Sequence, residues 1–164
     1  MKKTLTAFEE RTLAAIAARI FPATNTPGAV EAGAVEYIVI ALGEAYAPQL
    51  PFYRSGLRAI NRHARQKCSG GFASLNDYQK DDILADFESG NVPQWKKAAA
   101  FFKTLRDHVL EGVFCEPQYG GNKNMMGWRL VGFPGQQFGY TDAYIDKPVD
   151  LEPMAAGSMA EDEN

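Results

Sequence analysis

The sequence predicts an all-α fold: a small helical domain of about five helices with a long irregular C-terminal segment rich in glycine and aromatic residues. Apolar residues recur at helical spacing from Thr6 to Phe114. Glycine and proline separate those stretches, and the helical spacing is lost after Cys115. With 164 residues, the chain is the size of one domain. We expect a single domain over residues 1–150, with an irregular arm over about 115–150, and an acidic, flexible tail over 151–164.

The first helix is predicted to begin at Thr6 and to end before Pro22. Thr6 and Glu9 have the spacing of a capping box, in which each side chain binds the backbone amide of the other residue. A residue that precedes proline is pushed out of the helical region, so Pro22 marks the end of the helix. One apolar stripe runs along the helix and is formed by Leu13, Ile16 and Ile20.

The second helix is predicted from Pro27 to about Ala45, with Thr26 as its N-cap and proline at the first helical position. Residues 37–42 are apolar on every face of this helix. A helix of that kind is buried at the centre of a domain or is covered by another chain.

Three further helices are expected before the arm. The third covers about 49–68, and its row of arginines most simply forms a solvated face. Ser74 and Asp77 suggest a capped start for the fourth helix, which runs to about Glu88. The fifth covers about 93–114 and carries an aromatic stripe at helical spacing, which is typical of a core-facing helix.

The arm that follows combines glycines with aromatic residues from Cys115 to Pro148. So long an irregular stretch is unusual in a compact domain unless it serves a function. Its aromatic content is too high for a solvated linker. We therefore expect the arm to pack either on its own helices or on another protein.

Composition excludes several classes of function. Apolar residues make up 46% of the chain and charged residues 23%, which is ordinary for a soluble globular protein. The net charge of -3 argues against nucleic acid as the main partner, because a protein that neutralises many phosphates is basic. The sequence has no apolar run of about 18 residues, so no membrane span is predicted.

Candidate catalytic groups are few. His108, Glu111 and Cys115 share one helical face and could bind a metal if a fourth ligand came from elsewhere. The simpler interpretation is a hydrogen-bonded histidine at the core edge and a buried or bridged thiol. The run 120–123 is not a Walker A loop, and no dinucleotide-binding glycine motif is present. We predict no catalytic residue, no metal and no cofactor in this chain.

The two cysteines and the N-terminus leave alternatives open. Cys68 and Cys115 could form one bridge, pair with a partner, or remain buried thiols. The basic start at Lys2 and Lys3 is followed by the charged run 9–11, which interrupts any apolar signal region. The chain as it stands is therefore predicted to carry no signal peptide.

Two motifs, taken together, carry a family resemblance. The first motif is Ile20-Phe21-Pro22-Ala23-Thr24-Asn25-Thr26-Pro27-Gly28-Ala29, continued by Ala32-Gly33. The second motif is Glu111-Gly112, Pro117-Gln118-Tyr119-Gly120-Gly121-Asn122, Gly127-Trp128-Arg129 and Gly132-Phe133-Pro134-Gly135. In this order the chain resembles the gluconate 2-dehydrogenase subunit 3 family, over roughly residues 5–142.

The resemblance implies a non-catalytic small subunit. Its partner would be a large FAD-containing flavoprotein of the glucose–methanol–choline type that oxidises a sugar, sugar acid or glucoside, often with a c-type cytochrome and its haem as a third component. The small subunit would assist folding of the large one and accompany its export. The resemblance implies a membrane-associated or periplasmic complex, although no twin-arginine signal precedes the helices. A cytoplasmic complex is the alternative, and in the periplasm Cys115 could bridge to Cys68 or across the interface.

The arm is predicted to contact the large subunit over residues 119–122 and 125–135. The residues expected at this interface are Tyr119, Gly120, Gly121, Asn122, Met125, Met126, Trp128, Phe133 and Pro134. The rival view is that the same residues fold back and cover the domain's own core. Two other functions stay open at this point: a free-standing helical binding module and, with less support, a small metal-dependent enzyme that uses the His108 face.

Overall fold

The computed structural model describes residues 4–135 together with Pro153. That part of the chain is all-α and contains no β-strand, which confirms the predicted fold class. Its helices are α1 (Ala7–Ile20), α2 (Ala34–Gly43), α3 (Leu50–Cys68), α4 (Asp77–Ser89), α5 (Ala98–Phe114) and α6 (Met126–Val131), joined by loops and short 3₁₀ turns. The predicted tail over 151–164, except Pro153, and the arm beyond Gly135 lie outside the described residues.

Helix α1 forms as its sequence predicts. The Thr6 hydroxyl accepts a bond from the Glu9 amide at 3.2 Å, and the Glu9 carboxylate accepts one from the Thr6 amide at 2.9 Å. This reciprocal pair satisfies two of the amides that a helix start leaves without partners. The stripe of Leu13 and Ile16 is fully buried, and the helix ends at Ile20, before Pro22.

Helix α2 begins seven residues later than predicted, at Ala34 rather than Pro27. The chain first turns back on α1, where the Ala29 amide donates to the Phe21 carbonyl at 2.8 Å. Gly33 then adopts a left-handed conformation (φ 80°), which no continuous right-handed helix can contain. The predicted Thr26 cap was therefore wrong, and that residue lies in the loop before the turn.

Two other starts differ from the prediction, and α6 was not predicted. The cap of α4 is Asn76, whose side chain forms a capping box with Gln79, so the pairing of Ser74 with Asp77 was wrong. Helix α5 begins at Ala98, because residues 93–97 form turns. Inside the arm, α6 forms a short helix within a stretch predicted to be irregular.

Helix α5 occupies the centre of the fold and contacts every other α-helix. Two glycines allow these contacts to be close. A Cβ on Gly112 would lie 2.7 Å from the Ala34 Cα, so α2 and α5 approach nearly backbone to backbone. Gly56 of α3 instead leaves room for the ring of Phe101, which occupies the space of a side chain at position 56. Around Phe101 the rings of Phe52, Tyr53, Phe87 and Trp95 pack at centroid distances of 5.5–6.4 Å. No helix among residues 4–135 has both the length and the hydropathy required to cross a membrane.

Candidate partner-docking surface

The part of the arm that the structure describes, residues 115–135, packs on the C-terminal end of α5. Trp128 is buried, and its indole Nε1 donates to the Phe114 carbonyl at 2.8 Å. Gly127 lies directly against the Val113 carbonyl, where any Cβ would overlap the oxygen. Gly121 meets the Gly112 carbonyl in the same way. The two glycines therefore let the arm follow the α5 backbone at a distance that no larger residue permits.

Asn122 fixes the course of the arm. It is fully buried and adopts a left-handed conformation with φ 44°. Its side-chain nitrogen donates to the Cys115 carbonyl at 2.9 Å, and its side-chain oxygen accepts from the Gly127 amide at 2.8 Å. Its own amide donates to the Gly112 carbonyl at 2.8 Å. One side chain thus joins the start of the arm to the start of α6.

Lys123 links the arm to the loop that follows α1. Its amide donates to the Ala32 carbonyl at 2.9 Å, and its alkyl chain lies over Gly33. Its ammonium group forms an ion pair with Glu36 at 2.9 Å. Because the amides of residues 122 and 123 donate to carbonyls of the chain itself, this glycine-rich run does not form a phosphate cradle.

The first and second motifs meet at one cleft. Its lining combines Phe21, Thr26, Pro27 and Ala32 from the first motif with Val113, Met126, Gly127, Arg129 and Leu130 from the end of α5 and from α6. The cleft has a volume of about 350 Å³ and a mainly apolar wall. We call it the motif cleft. Its position explains why two distant stretches of sequence occur together: they form the two sides of one surface feature.

A second groove lies between α2 and residues 118–120 of the arm. It has a volume of about 460 Å³ and is lined by Tyr37, Ile40, Ala41, Glu44, Ala45, Tyr46, Gln118, Tyr119 and Gly120. We call it the α2 groove. Ile40 remains 44% exposed, although α2 is apolar on all sides. The sequence therefore carried a signal for this surface, in the all-round apolar stretch 37–42, that the prediction of arm contacts did not use.

The structure divides the predicted interface residues into two groups. Tyr119 and Phe133 are exposed, and four others are half-buried: Gly120, Met125, Met126 and Pro134. Gly121, Asn122 and Trp128 are buried and pack inside the chain. The buried three fit the rival view of the arm as a core cover. The prediction of partner contact stays a prediction and applies to the exposed and half-buried residues, which Leu130 and Val131 extend.

Both cysteines are half-buried thiols without a disulfide in this structure. Cys68 is the last residue of α3 and packs at the edge of the core. Cys115 caps the end of α5, close to Gly121. Burial raises the pKa of the Cys115 thiol, so the reactive thiolate form is disfavoured. No disulfide joins Cys68 to Cys115 in this structure. A disulfide to a partner chain stays a prediction, because the structure contains one chain.

His108 and Glu111 are engaged by tyrosines. The Tyr53 hydroxyl and the His108 Nδ1 are hydrogen-bonded at 2.6 Å. The imidazole ring stacks on Tyr46 at 4.4 Å between centroids. The Glu111 carboxylate accepts the hydroxyls of Tyr37 and Tyr46 at 3.2 and 2.9 Å. Among the described residues no three histidine, cysteine or acidic side chains form a group that could hold a metal ion.

We expect His108 to make the protein acid-sensitive. Burial lowers its pKa below 6.5, although Glu111 and Asp107 act in the opposite direction. The unfolded chain then binds more protons than the folded one as pH falls, so stability is full above about pH 6.5 and decreases below it. His108→Gln keeps an acceptor for Tyr53 but does not titrate. Between pH 7.5 and 5 its melting temperature should fall less than that of the wild type; equal falls would contradict the assignment.

The described fold defines a class, namely a small all-α domain whose glycine-rich arm is flanked by two largely apolar grooves. Within that class, the chain belongs to the gluconate 2-dehydrogenase subunit 3 family, whose model matches residues 7–135. This match confirms the resemblance carried by the two motifs. Neither the curated proteins nor the solved structures contain a significant match. Membership of a family named subunit 3 implies a multi-subunit dehydrogenase complex, in which this chain is an accessory subunit.

Proposed function

We propose that this chain is a non-catalytic small subunit that binds and stabilises the large flavoprotein subunit of an FAD-dependent dehydrogenase. The large subunit, of the glucose–methanol–choline type, oxidises a sugar, a sugar acid or a glucoside and holds the FAD. A c-type cytochrome with haem c serves as a third subunit that takes up the electrons. The small subunit assists the folding of its partner and accompanies it to the periplasm; a cytoplasmic complex is the alternative.

The motif cleft is the observation that carries this proposal. Both family motifs contribute to it, yet they are separated along the chain by most of the helical core. The cleft is apolar, and Leu130, Val131 and Phe133 lie exposed beside it. Exposed apolar patches rimmed by polar residues mark protein–protein interaction sites. Met126 adds an adaptable side chain, since methionine fills irregular gaps at interfaces.

His108 and Glu111 have side chains of types that act in catalysis, but their contacts support a structural role. His108 Nδ1 and Glu111 Oε2 are hydrogen-bonded to tyrosine hydroxyls, and these bonds help to join α2, α3 and α5. A general base or a metal ligand needs an accessible lone pair that faces a substrate or a metal. Nδ1 of the histidine is already hydrogen-bonded to the Tyr53 hydroxyl.

Co-expression tests the proposal. The chain, carrying an affinity tag, is produced together with a glucose–methanol–choline type flavoprotein from the same organism. We expect a stoichiometric complex that absorbs as oxidised flavin and reduces a dye in the presence of a sugar. Leu130→Asp should lower the recovered flavoprotein about tenfold or more, because it places a charge in an apolar contact. Tyr78→Asp is the matched control, since Tyr78 is 83% exposed on α4, which contributes no residue to the motif cleft.

The opposite outcome is equally clear. If the tagged chain purifies alone, folded and colourless, while the flavoprotein is active without it, the proposed subunit role is wrong. The free-standing binding module would then be the better assignment. If the complex forms but Leu130→Asp and Tyr78→Asp behave alike, the role stands and the motif cleft is not the contact. Periplasmic and cytoplasmic fractions of the same cells decide the compartment.

A further inference from the structure

The α2 groove has chemistry that the motif cleft lacks. Its floor is apolar, with Ile40 and Ala41, and three tyrosines line its walls. Tyr119 is 56% exposed, and its ring makes no stacking contact with any described residue. Gly120 adopts φ 91° and lies against Ile40, so the backbone of the arm forms one wall of the groove. A side chain at position 120 would overlap Ile40. The result is an open slot with aromatic faces.

The two sequence segments that form this groove carry carboxylates but no lysine or arginine. None of the 17 lysines and arginines lies within residues 20–53 or 107–122, the segments that contain α2 and the C-terminal half of α5. The carboxylates in those two segments are Glu31, Glu36, Glu44, Asp107, Glu111 and Glu116. The nearest cation on the arm is Lys123, which is paired with Glu36. These two segments therefore contribute net negative charge around the groove, which favours a cationic occupant.

Glu111 is oriented at the edge of the groove. Its Oε2 accepts the hydroxyls of Tyr37 and Tyr46, which both line the groove. Burial raises the pKa of both tyrosines, so their hydroxyls remain neutral donors. Oε1 of the same carboxylate forms no hydrogen bond with the described residues. One carboxylate oxygen is thus fixed by the chain, and the other is available to a ligand.

We propose that the α2 groove binds an arginine side chain of the partner, with the guanidinium paired to Glu111 and stacked on the Tyr119 ring. The partner is the large subunit, and to that extent the inference rests on the proposed function. Arginine fits better than lysine because its planar group stacks on an aromatic face and donates along its edge at the same time. An acidic segment would be repelled, and a purely apolar one would bury Glu111 without a partner.

A titration of the isolated chain tests the groove directly. The ¹⁵N-labelled protein is mixed with acetyl-Leu-Arg-Leu-amide and with the same peptide carrying Lys or Glu in place of Arg. We expect saturable shifts of the Glu44 and Gly120 amides, with affinity for the Arg peptide about tenfold or more above that for the Glu peptide. Glu111→Gln, which keeps an acceptor for both tyrosines, should weaken Arg-peptide binding about tenfold. Glu88→Gln, which removes an exposed carboxylate of α4 that does not line the groove, is the control and should not.

Two results would overturn the inference: equal shifts with the Arg and Glu peptides, or unchanged Arg-peptide binding by Glu111→Gln. A chain that shows no shift with any peptide also contradicts it. These readouts do not depend on the flavoprotein. A groove that selects the Arg peptide in a chain that captures no flavoprotein would overturn the proposed function alone. A complex that tolerates Glu111→Gln but not Leu130→Asp would overturn the arginine site alone.

Discussion

Replacing Asn122 with alanine should detach the arm and lower the free energy of unfolding by roughly 3–5 kcal/mol. The substitution leaves the Gly127 amide and the Cys115 carbonyl without their side-chain partners, and buried unpaired groups cost about 1–3 kcal/mol each. It also places a residue with a poor left-handed propensity at φ 44°. Urea denaturation followed by Trp128 fluorescence measures the effect, in a Trp95→Phe background that leaves one tryptophan.

Two matched variants separate the causes of the Asn122 effect. Asn124 is also left-handed, with φ 54°, but it is exposed. Asn124→Ala should therefore cost only the conformational part, about 1 kcal/mol. Asn122→Gly removes the conformational strain but not the unpaired groups, so it should fall between the two alanine variants. If Asn122→Ala is no worse than Asn124→Ala, the buried hydrogen bonds do not hold the arm.

Gly127→Ala should prevent α6 from docking and cost roughly 3 kcal/mol or more, the upper range of overpacking. The new Cβ would overlap the Val113 carbonyl oxygen, and it would also lie 3.0 Å from the Phe114 ring. A backbone oxygen inside α5 cannot rotate away as a side chain can. We expect Trp128 emission to shift to the red, because its indole leaves the Phe114 carbonyl and meets water.

Gly43→Ala is the control for that substitution. Gly43 also lies in a helix, and its Cβ would meet only the Thr4 hydroxyl, at 3.2 Å. The strain there should be small, and alanine has the higher helix propensity by about 1 kcal/mol. Its stability should therefore stay within about 1 kcal/mol of the wild type. Normal stability and unshifted Trp128 emission in Gly127→Ala would show that the arm tolerates a wider separation from α5.

Asn122→Ala and Gly127→Ala also bear on the proposed function, since each acts on the arm without altering an exposed side chain. If the arm presents the docking surface, both should lose the flavoprotein in co-purification while the helical core remains folded, as measured by far-ultraviolet circular dichroism. Loss of the whole fold would mean instead that the arm is an integral core cover. The arm can serve both roles, because its buried residues hold the exposed ones in place.

The sequence by itself determined the fold class, the course of helix α1 and the family. The capping box of Thr6 and Glu9, the stripe of α1 and the break at Pro22 are local features, set by residues within about one or two turns of each other. The two motifs identified the family through residue types alone. Glycine-rich composition also marked the arm, because positions such as Gly121 and Gly127 admit no other residue.

Only the tertiary structure decided where those local features meet. The start of α2 moved to Ala34 because the preceding loop binds back to Phe21 and because Gly33 adopts a left-handed conformation. The motif cleft and the Glu111 site each join parts of the chain that are far apart in sequence. Propensity and periodicity carry no information about such distant pairs. They form when α5 packs centrally against α2 and the arm satisfies the backbone groups left at its C-terminal end.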